Sequence, residues 1–266
     1  MYERSYPLMG DKITFTIYGI EEVIAELLCA DAYDYALKLE NIFNLFDMTS
    51  EINTLNAKRD IKVSQHLNKV IKKALVYCEK TKGRYDISKG KAFLARKNKQ
   101  SLPRLSCTYK DIYVKKDRVA LTHPDVVIDL SSIAKGYIVD ELTAFFQSHG
   151  VEEIFIDARG DMRIAGGEEV VDIQHPRKKG AITTITLRNE AIATSGDYLQ
   201  YDLDYEHSHV LGNELISVSV IADDLCTADV LATCLMLLKP QEAQDFARRE
   251  GVRAILLTKD LQEVRA

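Results

Sequence analysis

Several common sequence signatures are missing from this chain of 266 residues. It has no G-x-G-x-x-G and no Walker A motif, so neither a Rossmann-type nor a P-loop nucleotide site is supported. No stretch approaches about 18 uninterrupted apolar residues, and we therefore expect no membrane span. The net charge is -5 and no long basic block occurs, so nucleic acid is not an expected partner.

Cysteine is scarce, and the five cysteines form no C-x-x-C pair. An odd count without paired spacing argues against a disulfide framework and against a zinc site. Buried, reduced thiols are typical of a reducing compartment. The N-terminus also lacks an apolar leader region. We therefore expect a cytoplasmic protein, although the mature part of an exported protein would have the same sequence features.

Apolar residues make up 46% of the chain and charged residues 28%, which is enough for a sizeable core. The predicted elements mix helices with a meander of strands instead of alternating strand and helix. This order predicts an α+β fold. We expect a single compact two-lobed domain over residues 1–266, with antiparallel or mixed sheets flanked by helices.

Hydrophobic periodicity and turn residues place the individual elements. Strands are predicted at 12–18, 111–115, 118–121, 126–129, 153–157, 161–165, 168–173, 181–188, 191–194, 215–222 and 253–257. Helices are predicted at about 20–46, 64–82 and 240–250, from the serines at 131–132 to Phe146, and from Thr227 to Pro240. Ser64, Ser131 or Ser132, and Thr227 are the expected N-caps of three of these helices.

A carboxylate and a hydroxyl, those of Asp229 and Thr233, lie one helical turn apart and so are neighbours on a helix surface. Carboxylate and hydroxyl oxygens suit Mg²⁺ or Ca²⁺ better than Zn²⁺. The simpler interpretation is a polar first helical turn in which the helix dipole stabilises Asp229. Spacing alone favours that simpler interpretation.

The stretch from Asp129 to Asp140 has the pattern of a strand end, a tight polar turn and a helix start. Such a turn can present backbone groups to a phosphate or a metal, with Lys135 as the counter-charge. A capped strand–helix junction with a surface lysine explains the same residues.

Two further polar stretches offer candidate groups. Thr194–Tyr198 contains a glycine and suggests a tight turn with polar side chains, or a plain loop. His207 and His209 would share one face of a strand, as a metal pair or as partly exposed strand residues. His209 alone could serve as a general base.

Taken in order, these stretches resemble the ApbE family of flavin transferases, the FAD:protein FMN transferases. The most specific block is Asp-Leu-Ser-Ser-Ile-Ala-Lys-Gly-Tyr-Ile-Val-Asp at 129–140, which is similar to the family's D-L-G-G-I-A-K-G-Y-A-V-D. Nine blocks carry the resemblance in the family's order: Leu8–Gly10, Ser50–Asn56, Gly83–Asp86, Asp129–Asp140, Asp157–Asp161, Ile173–Pro176, Ala193–Tyr198, Ser208–Val210 and Thr227–Thr233.

The resemblance implies that FAD is bound in a cleft between two lobes and that FMN is transferred to a Ser or Thr hydroxyl of an acceptor flavoprotein, with release of AMP. By position, the residues implied to contact FAD are Met9, Phe46, Arg84, Tyr85, Asp86, Asp129, Lys135 and Val210. The residues implied to hold Mg²⁺ are Asp229, Thr233 and, through one of its oxygens, Ser132. The implied catalytic residues are Asp229 and His209, the latter assisting removal of the hydroxyl proton.

The chain departs from the family pattern at two notable places. The D-P-x-T-G that follows S-H-I in the family is replaced by Leu211–Glu214, and Arg159 stands where the family has glycine. These departures motivate a first alternative, a degenerate member that binds FAD or only hydrolyses it to FMN and AMP. A second alternative is an interaction domain that retains the fold without binding flavin.

Overall fold

One large antiparallel sheet organises the fold, in a computed structural model that describes residues 1–197 and 214–266. The strands are β1 (Tyr2–Leu8), β2 (Asp11–Tyr18), β3 (Asp60–Lys62), β4 (Ile112–Lys115), β5 (Arg118–Leu121), β6 (Glu153–Ala158), β7 (Asp161–Ala165), β8 (Glu168–Gln174), β9 (Ala181–Arg188), β10 (Ala191–Gly196), β11 (Leu215–Ala222), β12 (Arg253–Thr258) and β13 (Glu263–Arg265). The helices are α1 (Glu22–Phe43), α2 (Glu51–Lys58), α3 (Gln65–Lys80), α4 (Gly90–Lys97), α5 (Ala134–Ser148), α6 (Leu225–Met236) and α7 (Pro240–Glu250).

The large sheet has the strand order β1-β2-β6-β7-β10-β11-β12-β13. Strand β6 alternates buried and more exposed side chains, with Ile154, Ile156 and Ala158 buried. Every residue of β11 is buried, because this central strand is covered on both faces. The sheet therefore carries two cores, one on each side.

Helices α1, α5 and α6 cover one face of the sheet and enclose the main core. The β8–β9 hairpin covers part of the other face, where it forms a second, smaller core with β7, β10, β11 and β12. A separate three-stranded sheet, in the order β3-β5-β4, lies beside α2 and α3. Within the described residues, none of the helices combines the length and apolar character needed to cross a bilayer.

The predicted α+β class is confirmed, and most strands of the second half lie within two residues of their predicted positions. Ser64 caps α3, since its hydroxyl accepts a hydrogen bond from the backbone N–H of Leu67 at 3.2 Å. All five cysteines are buried and have free thiols.

Three local predictions are wrong. Residues 126–129 form no strand, and Val127 instead makes an isolated bridge to Lys89. Lys89 directly precedes helix α4, which was not predicted because that segment is rich in basic residues. Helix α5 begins at Ala134 without a side-chain cap, because the Ser131 hydroxyl is bonded to Asp129 and that of Ser132 to another side chain.

The predicted cap of α6 is also wrong. Asp224, three residues before Thr227, is the N-cap and accepts hydrogen bonds from both the backbone N–H and the hydroxyl of Thr227, each at 2.7 Å. A carboxylate offers two acceptor oxygens where a hydroxyl offers one, so Asp224 satisfies the helix start more completely. Pro240 likewise begins α7 rather than only ending the preceding helix.

Candidate active site

A cleft of about 830 Å³ lies between the sheet and the surrounding helices. Its walls come from the β1–β2 turn, the end of α1, α4, the start of α5, the β6–β7 turn, β8, β10 and α6. The predicted site residues that line it are Met9, Phe46, Asp129, Ser132, Lys135, Asp229 and Thr233. Residues far apart in the sequence thus meet at one cavity.

Asp229 lies on α6, only 6% exposed, with its carboxylate at the floor of the cleft. One of its oxygens accepts a hydrogen bond from the backbone N–H of Gly136 at 3.0 Å, and this is its one hydrogen bond within the described ranges. Helices α5 and α6 can approach so closely because position 136 is glycine, since a Cβ there would collide with the carbonyl oxygen of Leu225.

A second carboxylate, that of Asp161 at the start of β7, lies beside the first and is 3% exposed. It forms an ion pair with the Lys135 ammonium group, and its other oxygen accepts a hydrogen bond from the backbone N–H of Thr194 at 2.9 Å. Lys135 and Asp129 belong to the same predicted strand–turn–helix stretch, and both line the cleft. The ion-pair partner of the lysine is nevertheless Asp161.

These neighbours set the charge of the cleft floor. Burial and the negative charge of Asp161 raise the pKa of Asp229 to about 7, against the opposing effect of Lys135. Burial lowers the pKa of Lys135, but the carboxylates of Asp161 and Asp229 outweigh it and hold that pKa above its ordinary value. One lysine therefore serves two carboxylates, and the ionised site is short of positive charge.

Two hydroxyl groups complete the same site. The Thr233 hydroxyl lies one helical turn from Asp229, and its oxygen is 3.1 Å from that of Ser195 on β10. We call Asp161, Ser195, Asp229 and Thr233 the oxygen cluster. Carboxylate and hydroxyl oxygens are hard donors, so the cluster is chemically suited to Mg²⁺ rather than to zinc or copper.

Another part of the cleft wall contains Asp129 and Ser132. Asp129 accepts hydrogen bonds from the backbone N–H of Ser131 at 3.0 Å and from its hydroxyl at 3.2 Å, while burial raises the pKa of the carboxyl. Tyr85 is buried behind this wall, with its hydroxyl 2.9 Å from that of Ser132. Tyr85 itself does not appear among the residues that line the cavity.

A further part of the wall is apolar and more open. The Phe46 side chain is 63% exposed, and its ring lies 6.1 Å from that of Phe93 on α4. Met9 has a left-handed backbone with φ of 51°, and its N–H donates to the carboxylate of Glu40 at 3.0 Å. These rings and the thioether offer the cleft a surface on which a flat aromatic ligand can pack.

Besides Tyr85, four predicted site residues are not among those that line the cleft. Arg84 forms an ion pair with Glu242 at 2.5 Å on the surface, and Asp86 shapes its own turn by accepting from the Ser88 N–H at 2.9 Å. His209 and Val210 lie outside the described residues. Their roles stay predictions.

Sequence reasoning did not single out Asp161 or Ser195. A signal was available, because both lie within blocks that carry the family resemblance, at 157–161 and 193–198. The sheet brings them to the site, because it places the start of β7, with Asp161, and the end of β10, with Ser195, next to α6.

A second group of acidic side chains lies at the start of α6. Ligand atoms of Asp140, Asp224 and Cys226 lie within 4.8 Å of one another, close enough to suggest a metal. However, the Asp140 carboxylate already accepts the N–H groups of Leu225 at 2.9 Å and Cys226 at 2.8 Å. We call these three residues the capping cluster, since their contacts complete a helix start.

Comparison with protein families matches residues 9–256 to the model described as the ApbE family. The chain belongs to the ApbE family. The family prediction made from the sequence is therefore confirmed.

Individual relatives give the same assignment. The chain is similar to "FAD:protein FMN transferase" of Escherichia coli (strain K12), with 33% identity over 56% of the chain and 46% of the relative. The chain thus spans about half the length of this relative or less. A protein of the same name from Klebsiella pneumoniae (strain 342) is 26% identical over 95% of the chain and 83% of the relative.

Solved structures support the fold. The flavin transferase ApbE from Vibrio cholerae superposes with a TM-score of 0.84 at 22% identity, over 99% of this chain and 96% of that one. The ApbE protein from Thermotoga maritima gives a TM-score of 0.86 at 23% identity, over 100% of this chain and 96% of that one.

Proposed function

We propose that this protein transfers FMN from FAD to a Ser or Thr hydroxyl of an acceptor flavoprotein, with Mg²⁺ bound and with release of AMP. The observation that carries the proposal is the oxygen cluster at the floor of a large cleft in a chain of the ApbE family. Relatives with the name FAD:protein FMN transferase support the choice of FAD and of a protein acceptor.

The size and walls of the cleft suit a dinucleotide. Its volume of about 830 Å³ is in the upper part of the range of about 300–1,000 Å³ that is usual for ligand sites. The apolar wall of Met9 and Phe46 provides a surface for the flavin ring, and the polar floor lies within the same cavity. A ligand with an aromatic end and a phosphate bridge matches both parts.

Mg²⁺ fits the donors that are present. Asp229, Thr233 and an oxygen of Ser132 are the ligands that we propose, and Asp161 supplies additional negative charge beside them. When bound, Mg²⁺ neutralises charge on the phosphoanhydride and so favours departure of AMP. The second oxygen of Asp229 has no hydrogen bond from the described part of the chain, which leaves it available for a cation.

The other residues act on the substrate itself. Lys135, oriented by its ion pair with Asp161, places positive charge where phosphate oxygens lie. The acceptor oxygen forms a bond to the FMN phosphorus as the bond from that phosphorus to the AMP oxygen breaks. We assign to His209 the removal of the proton from the attacking hydroxyl.

A covalent product provides the direct test. Cells of the source organism with the wild-type gene should contain proteins that keep flavin fluorescence on a denaturing gel. Cells with Asp229→Asn in its place should lose those fluorescent bands, and the purified wild-type protein should release AMP from FAD when the recovered acceptor is added. Absence of fluorescent bands in both strains would contradict the proposal.

Hydrolysis of FAD to FMN and AMP is the alternative, and replacement of the family's D-P-x-T-G by Leu211–Glu214 favours it. An incubation with FAD and Mg²⁺ but no acceptor separates the two activities. Rapid AMP release without acceptor indicates hydrolysis, whereas transfer requires the acceptor for release.

A further inference from the structure

Two cations on different elements line the cleft in addition to Lys135. Lys97 is the last residue of α4, and Arg159 is in the turn between β6 and β7. Both line the cavity. We call Lys97 and Arg159 the cationic pair.

The cationic pair is only partly neutralised. Arg159 forms an ion pair with Asp11 at 3.1 Å, yet its side chain remains 51% exposed. Lys97 has no ion pair within residues 1–197 and 214–266, and its ammonium group lies 6.0 Å from the Phe93 ring centre. Burial lowers the pKa of Lys97, and the nearby charge of Arg159 lowers it further, against the opposing effect of Asp129. An anion between the two cations would remove their repulsion.

Arg159 is the first of the two residues in the tight turn between β6 and β7. Its φ is 59°, in the left-handed region that is unfavourable for a residue with a Cβ. Gly160 next to it has φ of 84°, and its N–H donates to the Asp157 carboxylate at 2.7 Å, so the turn is held in this form. A two-residue hairpin turn requires positive φ at both central positions, and glycine at position 159 would adopt it more easily than arginine.

We propose that the cationic pair, whose side chains do not belong to the oxygen cluster, is a phosphate-binding subsite of the cleft that holds one phosphate of a dinucleotide. The inference rests on the proposed use of FAD. A guanidinium group matches phosphate oxygens through paired N–H groups, and an ammonium group adds a point charge. Asp11 orients the arginine through its Nε atom and leaves the terminal N–H groups for the ligand.

Binding titrations in the presence of EDTA test the subsite without metal, acceptor or turnover. The probes are FAD, ADP, FMN, AMP and riboflavin, added to the full chain. Arg159→Gly and Lys97→Gln should each weaken the binding of FAD and ADP about tenfold and leave riboflavin binding unchanged. Of FMN and AMP, the one that responds as FAD does identifies the phosphate that is held.

Arg159→Gly is the most informative variant, because glycine suits the left-handed backbone and the variant should be at least as stable as the wild type. Lys12→Gln is the matched control, because it removes one positive charge from the same cleft. An equal loss of FAD binding in Lys12→Gln would overturn the assignment in favour of a diffuse positive field. Unchanged FAD binding in both pair variants, or an equal loss for riboflavin, would overturn it as well.

The outcome is distinguishable from failure of the proposed function. If the protein binds FAD with the expected pattern but never transfers FMN, the subsite is supported and the proposed function is rejected. If the protein transfers FMN while both pair variants keep full FAD affinity, only the subsite is rejected. If FAD does not bind at all, weakened ADP binding in Arg159→Gly still supports the subsite, and absence of ADP binding to the wild type rejects it.

Discussion

The capping cluster and the oxygen cluster both place carboxylates against α6, but they differ in how the negative charge is balanced. In the capping cluster, Asp140 accepts two backbone N–H groups and forms an ion pair with Arg163. Asp224 is bonded to Thr227 and, at 3.0 Å, to the Lys73 ammonium group. Each of these carboxylates already has charged and neutral donors.

In the oxygen cluster the residues that the structure describes supply fewer donors to Asp229. They give it a single N–H, and one lysine is shared between Asp161 and Asp229. Closeness of acidic groups therefore does not by itself indicate a metal site. What distinguishes a binding site is the presence of oxygens whose hydrogen-bonding capacity the protein has left unused and that face a cavity.

The largest expected effect comes from Asp229→Asn, which keeps the shape of the side chain but removes its charge. We expect AMP release from FAD to fall at least about 100-fold, because the charge that holds Mg²⁺ is lost. Stability at neutral pH should be unchanged or higher, since burial disfavours the ionised carboxyl that the variant removes. Chromatographic measurement of AMP and thermal denaturation check the two parts.

The same substitution at Asp140 should lower the stability of the protein and leave the activity of the folded fraction intact. Asp140→Asn leaves Arg163 with an uncompensated charge in a mostly buried place, and we expect the free energy of unfolding to fall by about 3 kcal/mol. The folded fraction should still release AMP. Urea denaturation, with activity measured below the transition, provides the test. A stable but inactive Asp140→Asn protein would reverse the roles of the two clusters.

A smaller effect is expected when one hydroxyl is removed. Thr233→Val retains the side-chain volume, loses the contact with Ser195, and should weaken Mg²⁺ binding about tenfold. Thr143→Val is the matched control, because that buried hydroxyl donates to the Val139 carbonyl at 2.8 Å within α5. Calorimetric titration with Mg²⁺ compares the variants, and equal losses in both would argue against a ligand role.

The smallest effect concerns pH and the capping cluster. Burial raises the pKa of Asp224, but the Thr227 hydroxyl and the Lys73 charge outweigh it, so the net pKa lies below its ordinary value. Because the folded pKa is the lower one, Asp224 contributes stability above its ordinary pKa of about 4, and this is lost as pH falls through the folded pKa.

The variant Asp224→Asn isolates this contribution, since asparagine also caps helices. We expect it to be less stable than the wild type by less than about 1 kcal/mol at pH 7, and the difference should disappear in acid. Urea denaturation at several pH values measures it. A difference that stays constant down to the acid limit would exclude the charge of Asp224 as its cause.

The sequence predicts the parts of this molecule that depend on local pattern. Alternating apolar residues and turn signals place β6 to β11 closely, and Ser64 caps α3 as predicted. The cap of α6 could not be chosen from local pattern, because Asp224 and Thr227 are both capping residue types and the Lys73 partner of Asp224 comes from a distant helix. Helix α4 was missed since its lysines and arginine leave little apolar periodicity.

The candidate site shows the same division. Asp229, Thr233, Lys135 and Ser132 were predicted from blocks of sequence that resemble a family, and they line one cleft. The pairing of Lys135 with Asp161, and the contact of Ser195 with Thr233, arise from the order of strands in the large sheet. No local pattern contains that order, so these partners required the three-dimensional structure.

The most direct test of the account is the position of a bound divalent cation. Crystals of the wild-type protein soaked in Mn²⁺, which replaces Mg²⁺ and scatters anomalously, should show a peak within coordination distance of the Asp229 carboxylate and the Thr233 hydroxyl. We expect that peak, and we expect no peak at Asp140 or Asp224. A peak at the capping cluster with none at the oxygen cluster would contradict it.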